Sequence, residues 1–168
     1  VFETGNAVID GADEIDMVVN LGFVKDKKFD KVTEEISAVK KACGGKLLKV
    51  IIETCYLTDD EKKELCKCVT DAGAEYIKTS TGFGTKGAEL SDIEIFKNNI
   101  GENVKIKAAG GIRTKEDMEN FIEAGCDRIG TSKASILFSG WFYMKSERVF
   151  LIVLDSVGIG EMPDAKNY

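Results

Sequence analysis

The chain has 168 residues, a formal net charge of −6, 43% hydrophobic residues and 31% charged residues. That balance describes a globular chain long enough for one sizeable core, and it excludes a disordered one. The negative charge speaks against a nucleic-acid surface, no apolar stretch approaches the ~20 residues that span a bilayer, and the absence of histidine excludes His-based triads and His-containing metal sites within the chain.

The opening stretch, VFETGNAVID, lacks a basic region followed by an apolar run, so it does not read as a signal peptide. It has no initiating methionine and starts mid-pattern, so an upstream part is expected. The next segment, GADEID (11–16), is the first of three similar ones; GAEYIK (73–78) and GCDRIG (125–130) follow it. Each has a glycine, a small residue, an acid, a variable residue and an isoleucine. Between them lie LLKVIIE (47–53) and VKIKAAGG (104–111). Five apolar runs therefore recur at intervals of about thirty residues or fewer, the size of a βαβ unit.

The intervening stretches have helical spacing. FDKVTEEISAVKKACGG places Phe29, Val32, Ile36 and Val39 on one face, with Gly44 or Gly45 as the stop. TDDEKKELCKCVTDAG starts with Thr58 and Glu61 at capping-box positions and stops at Gly73. SDIEIFKNNIG repeats the device with Ser91 and Glu94. TKEDMENFIEAG starts at Thr114, carries Asp117 in its first turn and ends at Gly125. Strands alternating with amphipathic helices, in a chain whose one proline is at 163, predict a parallel α/β protein.

Four of the five apolar runs close on a charge: Asp16, Glu53, Lys78 and Lys107. Parallel strands are covered by helices, and the C-terminal edge of such a sheet is where active sites lie. A single charge there is ordinarily a solvated rim residue. Two lysines and an aspartate sharing one face point instead to a common site. If the isoleucines face the helices, the charges after them face the other side of the sheet, which in a barrel is the interior.

A lysine amine is a poor nucleophile at its ordinary pKa near 10.4. A neighbouring cation or loss of water favours the neutral form, which attacks carbonyl carbon. A nearby aspartate can carry protons to and from carbon. Lys78, Lys107 and Asp16 therefore suit imine-forming aldol chemistry. Loops rich in glycine and hydroxyls follow these strands: TSTGFG after Lys78, AAGGIRT after Lys107, and GTS at 130–132. Exposed backbone N–H groups there, two of the loops leading into helix starts, suit a phosphate.

On these residues the sequence resembles the deoxyribose-phosphate aldolases. The matching stretches are GADEIDMVVNLG, LKVIIETCYLTDDEK, EYIKTSTGFGTKGA, VKIKAAGGIRT and CDRIGTS, spanning residues 1 to about 135. The resemblance implies a class I aldolase on a (β/α)8 TIM barrel, here a partial barrel of strands 4 to 8. It implies Lys78 as the Schiff-base lysine, Lys107 as the lysine that activates it and Asp16 as the proton relay. It further implies Thr79 beside the imine and Gly82, Gly110, Gly111 and Ser132 around the substrate phosphate. The implied reaction is reversible cleavage of 2-deoxyribose 5-phosphate to glyceraldehyde 3-phosphate and acetaldehyde, in the cytoplasm, with no metal or organic cofactor. The first three barrel strands are lacking, so weak or absent activity is expected of this chain alone. Its open sheet edges invite another chain, so a homo-oligomer is among the expectations.

The aldolase unit is read as 1–139 and the remainder, 140–168, as unrelated to it. Met144 resembles an internal start, and RVFLIVLDSVGIGEMPDA (148–165) resembles the beginning of phosphopentomutase. That resemblance implies an extra C-terminal strand and makes Asp155 one metal ligand of an incomplete site; G-x-G at 158–160 is a weak phosphate-loop signal. The mutase would make the aldolase's substrate, and the two pieces read as neighbouring reading frames joined together. Two competing readings stand beside the aldolase: a catalytically inactive sugar-phosphate-binding fragment, and a fragment of phosphopentomutase. The five cysteines, odd in number and irregularly spaced, fit reduced structural thiols, and the C-x-C of Cys66 and Cys68 is a poor zinc spacing.

Overall fold

Each of the five apolar runs forms a strand. The computed structural model describes residues 1–133. Strands β1 (Glu14–Val18), β2 (Leu47–Ile51), β3 (Tyr76–Lys78), β4 (Lys105–Ala109) and β5 (Arg128–Gly130) lie side by side in chain order, all parallel. Helices α1 (Phe2–Ile9), α2 (Leu21–Lys25), α3 (Phe29–Ala42), α4 (Asp59–Asp71), α5 (Leu90–Asn99) and α6 (Lys115–Ala124) complete the described residues, with one 3₁₀ turn at Thr54–Tyr56. The C-terminal segment from 140, with its expected extra strand and Asp155, lies outside them.

Consecutive parallel strands joined by right-handed crossovers put their helices on one face. Burial follows that rule. Leu48, Val50, Ile77, Ile106 and Ala108 point at the helices and form one apolar cluster with Ile36 of α3, Leu65 of α4, Phe96 of α5 and Phe121 of α6. The alternate residues, Glu14, Asp16, Lys49, Lys78, Lys107 and Arg128, point to the other side. That side is concave, because Arg128 on the last strand hydrogen-bonds Glu14 on the first, 114 positions away. A sheet curled until its edge strands touch through their side chains is an arc of a (β/α)8 barrel.

The three-fold repeat has a local cause. Gly11, Gly73 and Gly125 all adopt positive φ (101°, 73° and 114°), the left-handed turn that ends one element and aims the chain at the next strand. The repeated acid then ties that strand to its neighbour: Glu75 accepts the Leu48 N–H at 2.9 Å and Asp127 the Ile106 N–H at 2.9 Å.

The Thr58/Glu61 capping box opens α4, and Thr114 with Asp117 opens α6, as their spacing predicts. The Ser91/Glu94 box does not form. Helix α5 begins two residues earlier, at Leu90, with Glu89 at its N-cap, so Ser91 lies inside the helix. The buried Asp92 explains this phase: it pairs with Lys62 of α4 at 2.7 Å while Ile93 and Phe96 enter the core. Helices α1 and α2 lie outside the sequence expectation. Helix α2 is short and is capped by the Asn20 side chain, which accepts the Phe23 N–H at 3.1 Å.

Candidate active site

The charged interior is assembled by register. Parallel pairing sets Asp16 opposite Lys49 on the β1–β2 ladder and Lys78 opposite Lys107 on the β3–β4 ladder. Their side chains converge on one carboxylate. Lys78 Nζ lies 2.9 Å from Asp16 Oδ2 and donates to it; Lys107 Nζ lies 3.9 Å from the same oxygen. Lys49 Nζ donates to the other oxygen, Oδ1. The three lysines are 3–5% exposed and Asp16 is 20% exposed. The predicted triad of Asp16, Lys78 and Lys107 is thus brought together on one face.

Two positions differ from expectation. Asp16 and Lys107 stand in the middle of β1 and β4, not at the strand ends, because pairing continues for two more residues on each strand. They are interior groups and not rim groups. Glu53 lies beyond β2, in the left-handed region at φ 54°, and its carboxylate accepts the Thr81 N–H at 3.2 Å and the Thr81 hydroxyl. It anchors the loop that follows Lys78.

Lys49 was not singled out from the sequence. It is embedded in the apolar run LLKVIIE, and its signal was the alternation that sets it on the same side as Ile51 and Glu53. Glu14 and Arg128 were missed too. Lys49 Nζ lies 3.1 Å from Glu14 Oε2, and that carboxylate receives both arms of the Arg128 guanidinium, at 2.6 and 2.8 Å. The guanidinium stacks over the Tyr76 ring, 4.7 Å from its centroid.

These contacts act on the acids. The Arg128 hydrogen bonds, with help from Lys49 and against the cost of burial, hold Glu14 down to about 2. Burial alone would raise the carboxyl of Asp16, but the hydrogen bonds and charges of Lys49 and Lys78 outweigh it and hold Asp16 below its ordinary value. Asp16 is therefore a carboxylate at neutral pH, ringed by three amines. Crowding positive charges favours the neutral form of one of them.

A cavity of roughly 340 Å³ opens beside Lys78. Gly82, Gly110, Gly111 and Ser132 line it, and Arg113 and Lys133 add cationic side chains at its wall. Gly110 and Gly111 have φ of 81° and 77°. Thr79 does not line this cavity. It is fully buried, and its hydroxyl donates to the Ala109 carbonyl at 3.2 Å and accepts the Ala109 N–H at 3.1 Å, clasping β3 to β4. The resemblance implies Thr79 beside the imine; the strand's alternation turns its side chain the other way.

Comparison with known proteins follows the same site. Residues 1–140 match the DeoC/LacD family of aldolases. The deoxyribose-phosphate aldolase of Clostridium botulinum is 64% identical over 140 residues, covering 83% of this chain and 63% of that protein. That of Clostridioides difficile is 57% identical over 132 residues, covering 79% and 60%. Among solved structures, an aldolase designated QR15 superposes with a TM-score of 0.74 at 44% identity over 78% of this chain and 59% of its own. The tetrameric deoxyribose phosphate aldolase of Aeropyrum pernix does so with a TM-score of 0.75 at 31% identity over 83% and 59%. The chain thus spans about 63% of the length of the Clostridium botulinum relative.

Proposed function

The chain belongs to the DeoC/LacD family of aldolases, and from that premise we propose that it carries the Schiff-base machinery of a deoxyribose-phosphate aldolase. The observation that carries this reading is the convergence of Lys78 and Lys107 on one oxygen of Asp16 beside a glycine-lined cavity.

In this reading the neutral Lys78 amine attacks the aldehyde carbon of open-chain 2-deoxyribose 5-phosphate. The carbinolamine loses water to give an iminium. A base takes the proton of the C3 hydroxyl, the C2–C3 bond breaks, and its electron pair passes into the iminium, leaving an enamine. Glyceraldehyde 3-phosphate departs. Asp16, through water, returns a proton to C2, and hydrolysis of the iminium releases acetaldehyde and restores the amine. Lys107 and Lys49 supply the positive charge that keeps Lys78 neutral beforehand. The substrate phosphate sits among Gly82, Gly110, Gly111 and Ser132, with Arg113 and Lys133 close by.

In this reading the aldolase unit is residues 1–139 and works in the cytoplasm, and it forms a homo-oligomer by analogy with the tetrameric Aeropyrum pernix aldolase. Among the described residues no helix is long and apolar enough to cross a membrane. Residues 140–168 form a separate segment whose likeness to the start of phosphopentomutase rests on its sequence motif alone.

Incubation with acetaldehyde and borohydride, followed by peptide mass spectrometry, tests the reading. A reduced ethyl adduct on Lys78 is expected. An adduct on another lysine overturns the assignment. Binding of sugar phosphate with no adduct favours the inactive binding fragment instead.

A further inference from the structure

The interior holds two charged groups that the proposed chemistry leaves unused. Glu14 is the first residue of β1 and Arg128 the first of β5, the two edge strands of the five-stranded sheet. We propose that Glu14 and Arg128 are positioning residues for Lys78, acting through Lys49 and Asp16. This rests on reading Lys78 as the imine-forming lysine.

The contacts form a ladder of alternating sign. Arg128 binds Glu14 with both arms, at 2.6 and 2.8 Å. Glu14 Oε2 also meets Lys49 at 3.1 Å, Lys49 donates to Asp16 Oδ1, and Asp16 Oδ2 receives Lys78 at 2.9 Å. Each rung limits the next. Glu14 shares its charge between Arg128 and Lys49, so Lys49 draws on Asp16 with part of its charge. Asp16 keeps the remainder for Lys78. The fork and the stacking of Arg128 on Tyr76 fix the far end of the ladder in one geometry.

The two ends of the ladder therefore act on Lys78 in opposite directions. Without the Glu14 charge, Lys49 turns to Asp16, Asp16 loosens its hold on Lys78, and the amine gives up its proton at lower pH. Without the Arg128 charge, Glu14 turns wholly to Lys49, Asp16 is released toward Lys78, and the amine keeps its proton to higher pH. The direct charge effects have the same signs. Among the described residues, Lys107 from β4, Glu53 after β2, and Arg113 and Lys133 at the cavity also lie on this side of the sheet; all are common to both variants. A pair that served only as a girder between edge strands, its charges not felt at Lys78, would move the Lys78 titration in neither direction, or in the same direction for both losses.

The test is competitive acetylation of the purified chain with acetic anhydride from about pH 5 to pH 10, reading each lysine by mass spectrometry. It needs no turnover. For Lys78 the midpoint should fall in Glu14→Gln and rise in Arg128→Gln, each by on the order of half a pH unit. Arg128→Lys keeps the charge and loses the fork; it should restore the wild-type midpoint while melting earlier. If Glu14→Gln does not fold, the contrast between Arg128→Gln and Arg128→Lys decides. A midpoint that stays fixed, moves the same way in both charge-loss variants, or follows melting temperature and not charge overturns the proposal. Acetaldehyde trapping on the wild-type chain, run in parallel, judges the imine reading separately: no adduct there removes that reading, and the acetylation midpoints still judge the ladder.

Discussion

Lys78 and Lys107 are register partners across the β3–β4 ladder, and both amino groups reach the same Asp16 oxygen, at 2.9 and 3.9 Å. Parallel pairing leaves no choice in this. Partner residues on adjacent parallel strands project to the same face, so fixing one lysine fixes the other. Asp16 comes from β1, two strands away from β3, and reaches them because the sheet curls. Curvature brings the Asp16 carboxylate to the amines, and register makes the amines a pair.

Replacing Asp16 with Asn should slow the Lys78-dependent exchange of acetaldehyde methyl protons for deuterium, which runs through protonation of C2, by roughly 10²–10⁴-fold, the usual range for a lost proton-transfer group. The same change removes the carboxylate that Lys49 and Lys78 share. A stability loss of roughly 1–3 kcal/mol is expected, short of the full cost of a buried unpaired charge because Asp16 is 20% exposed. Deuterium exchange followed by NMR and urea denaturation check the two effects separately. Exchange at the wild-type rate would remove Asp16 from the chemistry.

The part of this site that was legible in the sequence had a specific mark. Lys78 and Lys107 each interrupt an apolar run just before a stretch of glycine and small residues, and Asp16 closes the repeated GADEID. Lys49 carried no such mark, because leucines precede it and Val50 and Ile51 follow; only two-residue alternation distinguishes its face from theirs. Glu14 and Arg128 were less visible still. Each sits at the start of a strand, where charges are common, and their meeting depends on curvature across five strands, which no local pattern encodes. Thr79 failed in the opposite way: it is a polar residue in the motif, but its side chain is spent between strands.

Acid should unfold the protein by way of Glu14. Its carboxyl titrates at about 2 in the fold against an ordinary 4.5, so the contact with Arg128 stabilises fully above 4.5 and is lost as pH falls toward 2. Asp16 is lowered as well and adds to the same loss. Urea midpoints should therefore hold level from neutral pH down to about 5 and then drop. Glu14→Gln should flatten part of that drop. Because Glu61 and Glu75 are also held low, it should not abolish it. A variant whose acid limb matches the wild type would show that the Glu14–Arg128 pair contributes nothing to acid stability.

Alkylation should distinguish the cysteines by burial. Cys66 and Cys126 are buried and pushed up to about 12 by it, and burial raises Cys43 and Cys68 too. Cys55 is half-buried, after β2, with its sulfur against the Gly84 loop. Iodoacetamide at mildly alkaline pH should label Cys55 first in the folded chain and the other four only on denaturation, since the thiolate is the reactive form. Mass-spectrometric counting of labels against time checks this; early labelling of Cys66 would contradict the packing of α4 against the sheet.

Gly87 offers a way to test the proposed phosphate pocket apart from the proposed amine chemistry. A Cβ there would lie 2.2 Å from the Gly110 carbonyl oxygen and 2.3 Å from its carbon, and both are backbone atoms that cannot swing aside. The Ala88 N–H is bonded to the carbonyls of Ala109 and Gly110, both at 3.1 Å, so the loop after Lys78 rests directly on the loop after Lys107. Those two loops carry Gly82, Gly110 and Gly111 to the cavity. Gly87→Ala should force them apart and cost roughly 1–3 kcal/mol, the usual range for overpacking. Lys78, held by β3, keeps its place. The variant should thus form the acetaldehyde adduct at close to the wild-type rate while inorganic phosphate protects Lys78 from trapping much less well. Gly5→Ala is the control: nothing lies within 4 Å of its Cβ, and it sits inside α1, so it should leave phosphate protection unchanged and raise stability by up to about 1 kcal/mol. If Gly87→Ala and Gly5→Ala respond to phosphate alike, the glycine loops are not the phosphate site.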